Sequence, residues 1–171
     1  SVYLGGLTMR EKAALTVLCH WMRGTVLWER IRTTGGAYGA LAIFDISTEI
    51  FSMSTYRDPS PLESLKAFQS CIDDACAMGF GDADVSRAVT GTYGDVTRPQ
   101  SPQSRGTRGF LRKLYAMTDE EWNEYIAAIL SVDARSLHKA AENARAIAGG
   151  NTAVICDKSV KSTGFIIDLS V

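Results

Sequence analysis

Apolar residues recur at every third or fourth position after Thr8, a spacing that predicts an amphipathic helix. Thr8 is a suitable N-cap, and Glu11 three positions later completes a capping box, so we expect the helix to begin there. The apolar side carries four large residues, Leu15, Leu18, Trp21 and Met22. Gly24 interrupts the pattern, and the helix is predicted to kink or restart there before Ile31.

The next part of the chain is rich in small, aromatic and β-branched residues, with Gly39 as its one breaker, a composition that favours strands. Residues 37–44 and 49–56 predict two strands, and the four residues between them are typical of a hairpin turn. In the second strand, Ile50 and every second residue after it are predicted to lie on one face of the sheet. Phe51 and every second residue after it are predicted to lie on the other face. Three further short strands are predicted at 2–4, 153–156 and 165–169.

The middle of the chain has the spacing of several helices. The clearest start is at Ser60, with Pro61 at the first helical position and Glu63 placed to complete a capping box. Asp82 or Asp84 is a suitable cap for the following helix. Two consecutive helices are therefore predicted after the hairpin.

The C-terminal part adds a predicted loop and more helices. Residues 95–106 contain two prolines and two arginines and predict a loop, either a contact for a substrate or partner domain or a solvated connection. Thr118 and Glu121 form another capping box, and a last helix runs from about 133 to 148. The order of elements predicts an α+β fold, a mainly antiparallel sheet with helices packed on one face.

Composition narrows the class of protein. A chain of 171 residues with 46% hydrophobic and 22% charged residues fits one globular domain spanning 1–171. The net charge of −1 gives no long-range attraction to nucleic acid or to an anionic membrane. No apolar run approaches the roughly 20 residues that cross a bilayer, and residues 1–10 lack the basic start and apolar core of a signal peptide.

Cysteines and histidines are the candidates for metal or redox chemistry. No C-x-x-C pair occurs among Cys19, Cys71, Cys76 and Cys156, and we expect reduced, mostly buried thiols in an intracellular compartment. His20 is predicted to be a packed or half-exposed helix residue, because adjacent helical residues point about 100° apart and make poor joint ligands. His138 and Glu142 are four apart but have no third ligand nearby, so a solvent-facing pair is expected.

The most informative stretch is 27–40, with the letters L-W-E-R-I-R-T-T-G-G-A-Y-G-A. Its first half predicts the end of a helix, in which Trp28 and Ile31 share one face. Arg30 and Arg32 turn away from that face and suit the negative end of the helix dipole.

A turn with almost no side chains follows this helix. Gly35 and Gly36 are predicted to stop the helix, because glycine takes the left-handed conformation without a Cβ clash. Arg32 and Tyr38 flank the turn, which lets another backbone come close. A plain helix C-cap with a solvated arginine and a half-buried tyrosine is the alternative. A phosphate cradle fits poorly, since phosphate loops run from strand to helix.

Three motifs point to a known family. The first is L-W-x-x-I-R-x-x-G-G-A-Y-G from Leu27, the second is S-x-Y-R-D-P from Ser54, and the third is G-T-Y-G-D from Gly91 with P-Q-S-P shortly after it. Together they resemble the C-terminal half of the presequence-protease branch of the pitrilysin (inverzincin) metalloproteases. The resemblance is specific across 27–59 and 86–105, and elsewhere only the order of elements matches.

The resemblance implies a fold, a function and a set of roles. It implies a pitrilysin-like (LuxS/metallohydrolase-like) fold and a clamshell zinc metalloendopeptidase that degrades short unfolded, presequence-like peptides. In such an enzyme this chain is the non-zinc C-terminal domain, and Arg32 and Tyr38 bind the substrate carbonyl while Gly35 and Gly36 let the peptide backbone lie close. The implied partners are the peptide and the N-terminal zinc-bearing half, in the same polypeptide or a partner subunit. The implied location is an organelle matrix, a mitochondrion or its plastid-like equivalent.

The zinc chemistry itself is not in this sequence. The family signature H-x-x-E-H places two histidines and a glutamate on one helix, and neither His20 nor His138 is followed by x-x-E-H. We therefore expect zinc to be held by the other half, and this chain alone to be inactive. Two alternatives remain: a non-catalytic scaffold domain of the same fold, as in processing-peptidase or respiratory-complex core subunits, and an unrelated small-molecule or phosphate binder.

Overall fold

Helices dominate the part of the chain that the structure, a computed structural model, describes: residues 1–156 of 171. The strands are β1 Val2–Tyr3, β2 Gly39–Asp45 and β3 Ile50–Tyr56. The α-helices are α1 Met9–Gly24, α2 Pro61–Ala77, α3 Asp82–Thr97, α4 Pro102–Leu114, α5 Asp119–Leu130 and α6 Ala134–Ala144. A π-helical segment, Trp28–Thr34, follows α1, and a 3-10 turn, Arg145–Gly149, follows α6. Within 1–156, no helix has the length and apolar character needed to cross a bilayer.

The three strands form an antiparallel sheet in the order β1-β3-β2, which confirms the predicted hairpin and the α+β class. Both hairpin strands begin slightly later than predicted, at Gly39 and Ile50. The turn between them is fixed by Asp45, whose carboxylate accepts a hydrogen bond from the Ser47 N–H at 2.8 Å. Local turn chemistry and alternation therefore specify this part of the sheet.

The two faces of the sheet differ in what covers them. Phe51 and Met53 on β3 are buried, whereas Ile50 and Tyr56 point to the other face and are exposed, as the alternation predicted. Helix α1 packs on the covered face through its contacts with β2. The open face of the sheet is therefore available to another surface.

Helix α1 lies at the centre of the fold, in contact with β2, α3, α5 and α6. Half of its sixteen residues are buried: Ala13, Ala14, Leu15, Val17, Leu18, Cys19, Trp21 and Met22. The capping box is formed as predicted, with the Thr8 hydroxyl accepting from the Glu11 N–H at 3.3 Å and the Glu11 carboxylate accepting from the Thr8 N–H at 2.9 Å. The helix ends at Gly24 and the chain turns helical again beyond it, which confirms the predicted restart.

The start of α2 differs from the prediction. Pro61 is at the first helical position as expected, but the Ser60 side chain makes no capping hydrogen bond. Glu63 forms an ion pair with Lys66 instead of closing a box. The Asp58 carboxylate accepts a hydrogen bond from the Ser60 N–H at 2.9 Å, and this preceding turn organises the helix start.

The predicted loop at 95–106 is wrong, because most of it is helical. Helix α3 continues to Thr97 and α4 begins at Pro102, which leaves only 98–101 as a connection. The Ser101 hydroxyl caps α4 by accepting from the Ser104 N–H at 3.2 Å. The prolines that suggested a loop therefore mark a helix boundary, with Pro102 in the first turn of α4.

The predicted strand at 153–156 is also wrong, since these residues have no regular secondary structure. They form one wall of a groove of about 450 Å³ beside β3. The predicted helix from 133 to 148 is confirmed in outline as α6 and the 3-10 turn that follows it. The strand predicted at 165–169 lies outside the described residues.

Three of the four cysteines are buried, as predicted, and Cys156 is exposed. All four are free thiols. Burial raises the pKa of the Cys19 thiol to about 12. It raises that of Cys71 to about 11. The buried thiols therefore pack as small apolar side chains and stay protonated at neutral pH.

Candidate functional site

The helix end before the double glycine is π-helical, which the sequence did not predict. Within it Ile31 is buried, but Trp28 is 48% exposed, so the predicted shared face of these two residues is wrong. Leu27, four positions before Ile31, is the residue that shares its buried side. Short π-helical segments are often found at functional positions in proteins.

Two arginines of this segment have separate contacts. The Arg32 guanidinium lies 3.9 Å from the centre of the Trp28 ring, a cation–π contact on the protein surface. The Nε of Arg30 donates to the Asp74 carboxylate on α2 at 2.7 Å, which ties the segment to the helical layer. Among residues 1–156 Arg32 has no carboxylate partner, so its N–H groups remain open to a ligand.

The two glycines of the turn are required for different reasons. Gly36 has φ = +78°, a conformation that side-chain-bearing residues rarely adopt. Gly35 has φ = −79°, so the predicted left-handed conformation applies to Gly36 alone. A Cβ on Gly35 would lie 2.7 Å from the Ile31 carbonyl oxygen, which leaves room only for hydrogen there.

Tyr38 lies just beyond the turn and is 57% exposed. Its ring packs edge-to-face against Tyr56 with the ring centres 5.4 Å apart. The Arg57 guanidinium lies 5.4 Å from the centre of the same ring. The Tyr38 hydroxyl has no hydrogen-bond partner among residues 1–156, so the ring is positioned by its neighbours while the phenol remains available.

The sheet brings the second motif onto the first. Gly39 pairs with Tyr56 across the hairpin, and the Tyr56 ring lies over the space where a Gly39 side chain would be. The Tyr38 N–H donates to the Arg57 carbonyl at 3.1 Å. Segments 27–39 and 54–59 therefore form one continuous site, and the positions of Tyr56 and Arg57 beside Tyr38 could not be predicted from the sequence.

Arg57 and Asp58 form a turn after β3. Arg57 has φ = +48°, which turns the chain sharply after β3. Burial disfavours the charged form of Asp58, but the polar groups around it, among them the Ser60 N–H that donates to it, outweigh burial and lower the pKa of the carboxyl group. Asp58 is thus an anchor for the turn and for α2.

The third motif has a packing role. A Cβ on Gly91 would lie 2.7 Å from Cε1 of His20 and closer still to its Nε2, so α3 approaches α1 at this glycine. The Asp95 carboxylate lies 3.2 Å from His20 Nδ1 and 3.2 Å from an Arg23 terminal nitrogen. His20 is therefore a packed, half-exposed helix residue, as predicted, and this motif joins two helices.

Metal binding is the remaining question for the site. His138 Nδ1 lies 3.7 Å from Glu142, and both side chains are about half exposed, which confirms the predicted solvent-facing pair. Among residues 1–156, no three His, Cys, Asp or Glu side chains are grouped so that they could hold a metal ion. The described residues therefore offer no ligand set that fits zinc.

These observations define a class of protein: an α+β domain whose uncovered sheet face carries a tyrosine–arginine site beside a double-glycine turn. The chain belongs to the PreP C-terminal domain family, whose model matches residues 3–157.

Relatives of known identity are much longer proteins. The chain is 36% identical over 105 residues to presequence protease 1, chloroplastic/mitochondrial, of Arabidopsis thaliana, a match that covers 61% of this chain and 10% of that protein. It is 32% identical over 148 residues to the mitochondrial presequence protease of Aspergillus oryzae, covering 82% of this chain and 14% of that protein. It is 30% identical over 139 residues to the mitochondrial presequence protease of Saccharomyces cerevisiae, covering 79% of this chain and 13% of that protein. The chain thus spans about a seventh or less of these relatives.

Proposed function

We propose that this chain is the substrate-binding C-terminal domain of a zinc metalloendopeptidase that degrades short unfolded, presequence-like peptides. The observation that carries the proposal is the pair of donors at the double-glycine turn. Arg32 lies on Trp28, and Tyr38 is packed against Tyr56, yet neither donor has a polar side-chain partner among residues 1–156. Donors that are positioned but not hydrogen-bonded are suited to a ligand.

The chemistry of peptide hydrolysis explains the choice of these side chains. Attack on a peptide carbonyl places negative charge on its oxygen, and donors aimed at that oxygen lower the barrier. The Tyr38 phenol and the Arg32 guanidinium are such donors. The glycine turn between them carries no side chain beyond hydrogen at two successive positions, which lets an extended peptide backbone approach.

Zinc and the rest of the enzyme belong to another part of the protein in this proposal. The N-terminal, zinc-bearing half would lie in the same polypeptide or in a partner subunit. Helix α4 supports such a partner, because Phe110 and Leu114 are exposed and α4 has no buried residue. The relatives' names support an organelle matrix, mitochondrial or plastid-like, as the location.

The first test is cleavage of a quenched fluorescent peptide by the 171-residue chain alone and after addition of the remainder of its gene product. We expect no cleavage by the chain alone, and cleavage by the mixture that a zinc chelator abolishes. If the mixture assembles but does not cleave peptide, the scaffold alternative replaces the peptidase proposal.

The second test distinguishes the loss of a hydrogen-bond donor from a disturbance of the fold. In the assembled enzyme, Tyr38→Phe removes one hydroxyl and Arg32→Gln removes one guanidinium, and each is expected to lower kcat about 100-fold. Matched controls are Tyr93→Phe and Arg87→Gln, which change the same chemical groups on α3, and we expect wild-type rates from them. Unchanged rates for the Tyr38 and Arg32 variants would remove these residues from the substrate site.

A further inference from the structure

A second cavity, separate from the tyrosine–arginine site, lies between the end of α3, the connection 98–101, α4 and α5. Its volume is about 650 Å³, large enough for a few residues of a peptide. The lining contains four guanidinium groups, from Arg98, Arg105, Arg108 and Arg112. We call this the arginine cavity.

Two of the four guanidinium groups are held in place by the protein. Arg108 donates to the Val96 carbonyl at 3.1 Å. In the amide orientation that satisfies both groups, it also donates from Nε to the Gln100 oxygen at 3.0 Å. Arg112 forms an ion pair with Asp119. These contacts give the inner part of the cavity a rigid positive wall.

The other two guanidinium groups are not held. Among residues 1–156, the guanidinium groups of Arg98 and Arg105 have neither an ion-pair partner nor a hydrogen-bond partner. Asp119 is the one carboxylate that pairs with any of the four arginines in the described part of the chain. Three of the four guanidinium charges in the arginine cavity therefore have no carboxylate partner within residues 1–156.

Helix α4 is oriented in an unusual way. A surface helix normally turns its apolar side to the core and its charged side to water. In α4 the arginines at 105, 108 and 112 line the cavity, while Phe110 and Leu114 on the other side are exposed. The helix contains no acidic residue that would balance these charges. Crowding like charges in a concave site is unfavourable unless an anion joins them.

The cavity also has an apolar floor. Trp122 lies beneath two of the guanidinium groups, with its ring centre 5.1 Å from Arg112 and 6.0 Å from Arg108. Ile126 continues this floor. A ligand suited to the site therefore combines oxyanions with short apolar stems, which is the chemistry of glutamate and aspartate side chains.

We propose that the arginine cavity binds an acidic peptide segment, whose carboxylates accept hydrogen bonds from the guanidinium groups of Arg98 and Arg105. Guanidinium and carboxylate groups are matched in shape and form paired hydrogen bonds. A free phosphate would fill only a small part of the volume and would leave the tryptophan floor uncovered. The proposal rests on the cavity alone and does not depend on the peptidase assignment.

The test uses the 171-residue chain and two blocked peptides, one of four glutamates and one of four glutamines, titrated by calorimetry in 50 mM NaCl. We expect the glutamate peptide to bind at least tenfold more tightly than the glutamine peptide. The double variant Arg98→Gln/Arg105→Gln should lose at least tenfold in affinity for the glutamate peptide, because each removed group forms charge-assisted hydrogen bonds. Raising the salt to 500 mM should weaken the wild-type interaction.

The matched control is Lys66→Gln/Arg87→Gln, which removes the same charge from surface ion pairs outside the cavity. We expect its affinity to stay within twofold of wild type. Equal losses in the two double variants would show general charge attraction and overturn the proposal. So would binding of inorganic phosphate as tightly as the glutamate peptide, or equal binding of the two peptides. Thermal melts of both variants check that the fold is kept.

Discussion

The contact between His20 and Gly91 allows a sharp test of how α3 is held on α1. A Gly91→Ala side chain would overlap the His20 ring, which would have to move and give up its contact with Asp95. Gly94→Ala, three positions further along the same helix, meets nothing within 4 Å. The two variants therefore make the same chemical change on one helix, and only one of them meets a neighbour.

The magnitudes follow from two terms. Alanine is better than glycine in a helix interior by up to about 1 kcal/mol, and this gain applies to both positions. At Gly91 this gain is opposed by overpacking, which costs about 1–3 kcal/mol in well-packed sites. We take a cost of about 2 kcal/mol, because the His20 ring is partly exposed and has room to move. We expect Gly94→Ala to be more stable than wild type and Gly91→Ala to be less stable by about 1 kcal/mol.

Thermal melts followed by circular dichroism at 222 nm measure the difference. For a chain of this size, 1 kcal/mol corresponds to about 2–4 °C in Tm, so the two variants should melt about 4–8 °C apart. Adding His20→Ala removes the ring, and in that background Gly91→Ala should become stabilising. If Gly91→Ala raises Tm as much as Gly94→Ala does, the His20 ring does not lie over Gly91, and our account of the third motif is wrong.

Three further predictions follow from local geometry. Gly36→Ala should lower the free energy of unfolding, measured with urea, by about 1–2 kcal/mol, because Gly36 has a positive φ. A glycine that has a negative φ and no close neighbour should tolerate the same change. Cys156 should react with a thiol reagent at pH 8 within seconds, while Cys19, whose pKa burial raises to about 12, should react only on unfolding. Hydrogen bonding to Lys139, and to Thr8, lowers the pKa of Glu11 to about 2, so its stabilising effect is complete above about pH 4.5 and is lost as the pH falls towards 2. In the Glu11→Gln variant, the urea midpoint should therefore decrease less between pH 6 and pH 2.5 than it does in the wild type.

Features set by neighbouring residues could be predicted from the sequence. The capping box of Thr8 and Glu11 forms as expected, and so does that of Thr118 and Glu121 at the start of α5. The hairpin turn at Asp45 is also local. In each case the groups that form the hydrogen bonds lie within three residues of one another, so their spacing predicts them. The same spacing at Ser60 and Glu63 did not produce a capping box, because the Ser60 side chain makes no capping hydrogen bond and Glu63 pairs with Lys66.

Features set by distant contacts could not be predicted in this way. The 95–106 stretch has few apolar residues, but α3 reaches Thr97 because Thr92 is buried and because Asp95 contacts His20, 75 residues away. At the candidate site, the first motif predicts Arg32, Gly35, Gly36 and Tyr38. The contact of Tyr56 with Tyr38 depends on strand register, which no local pattern reveals.

The motifs that identify the family therefore perform two physically different tasks. Segments 27–39 and 54–59 leave the Arg32 and Tyr38 donors exposed and hold them with aromatic and backbone contacts, an arrangement that in our proposal limits where a ligand can lie. Gly91 in the third motif lacks a side chain, so two helices approach each other there, and this glycine contributes to stability. Substitutions at Tyr38 and at Gly91 should accordingly have different effects. A substitution at Tyr38 should change turnover and leave Tm constant. A substitution at Gly91 should change Tm and leave turnover constant below the melting range.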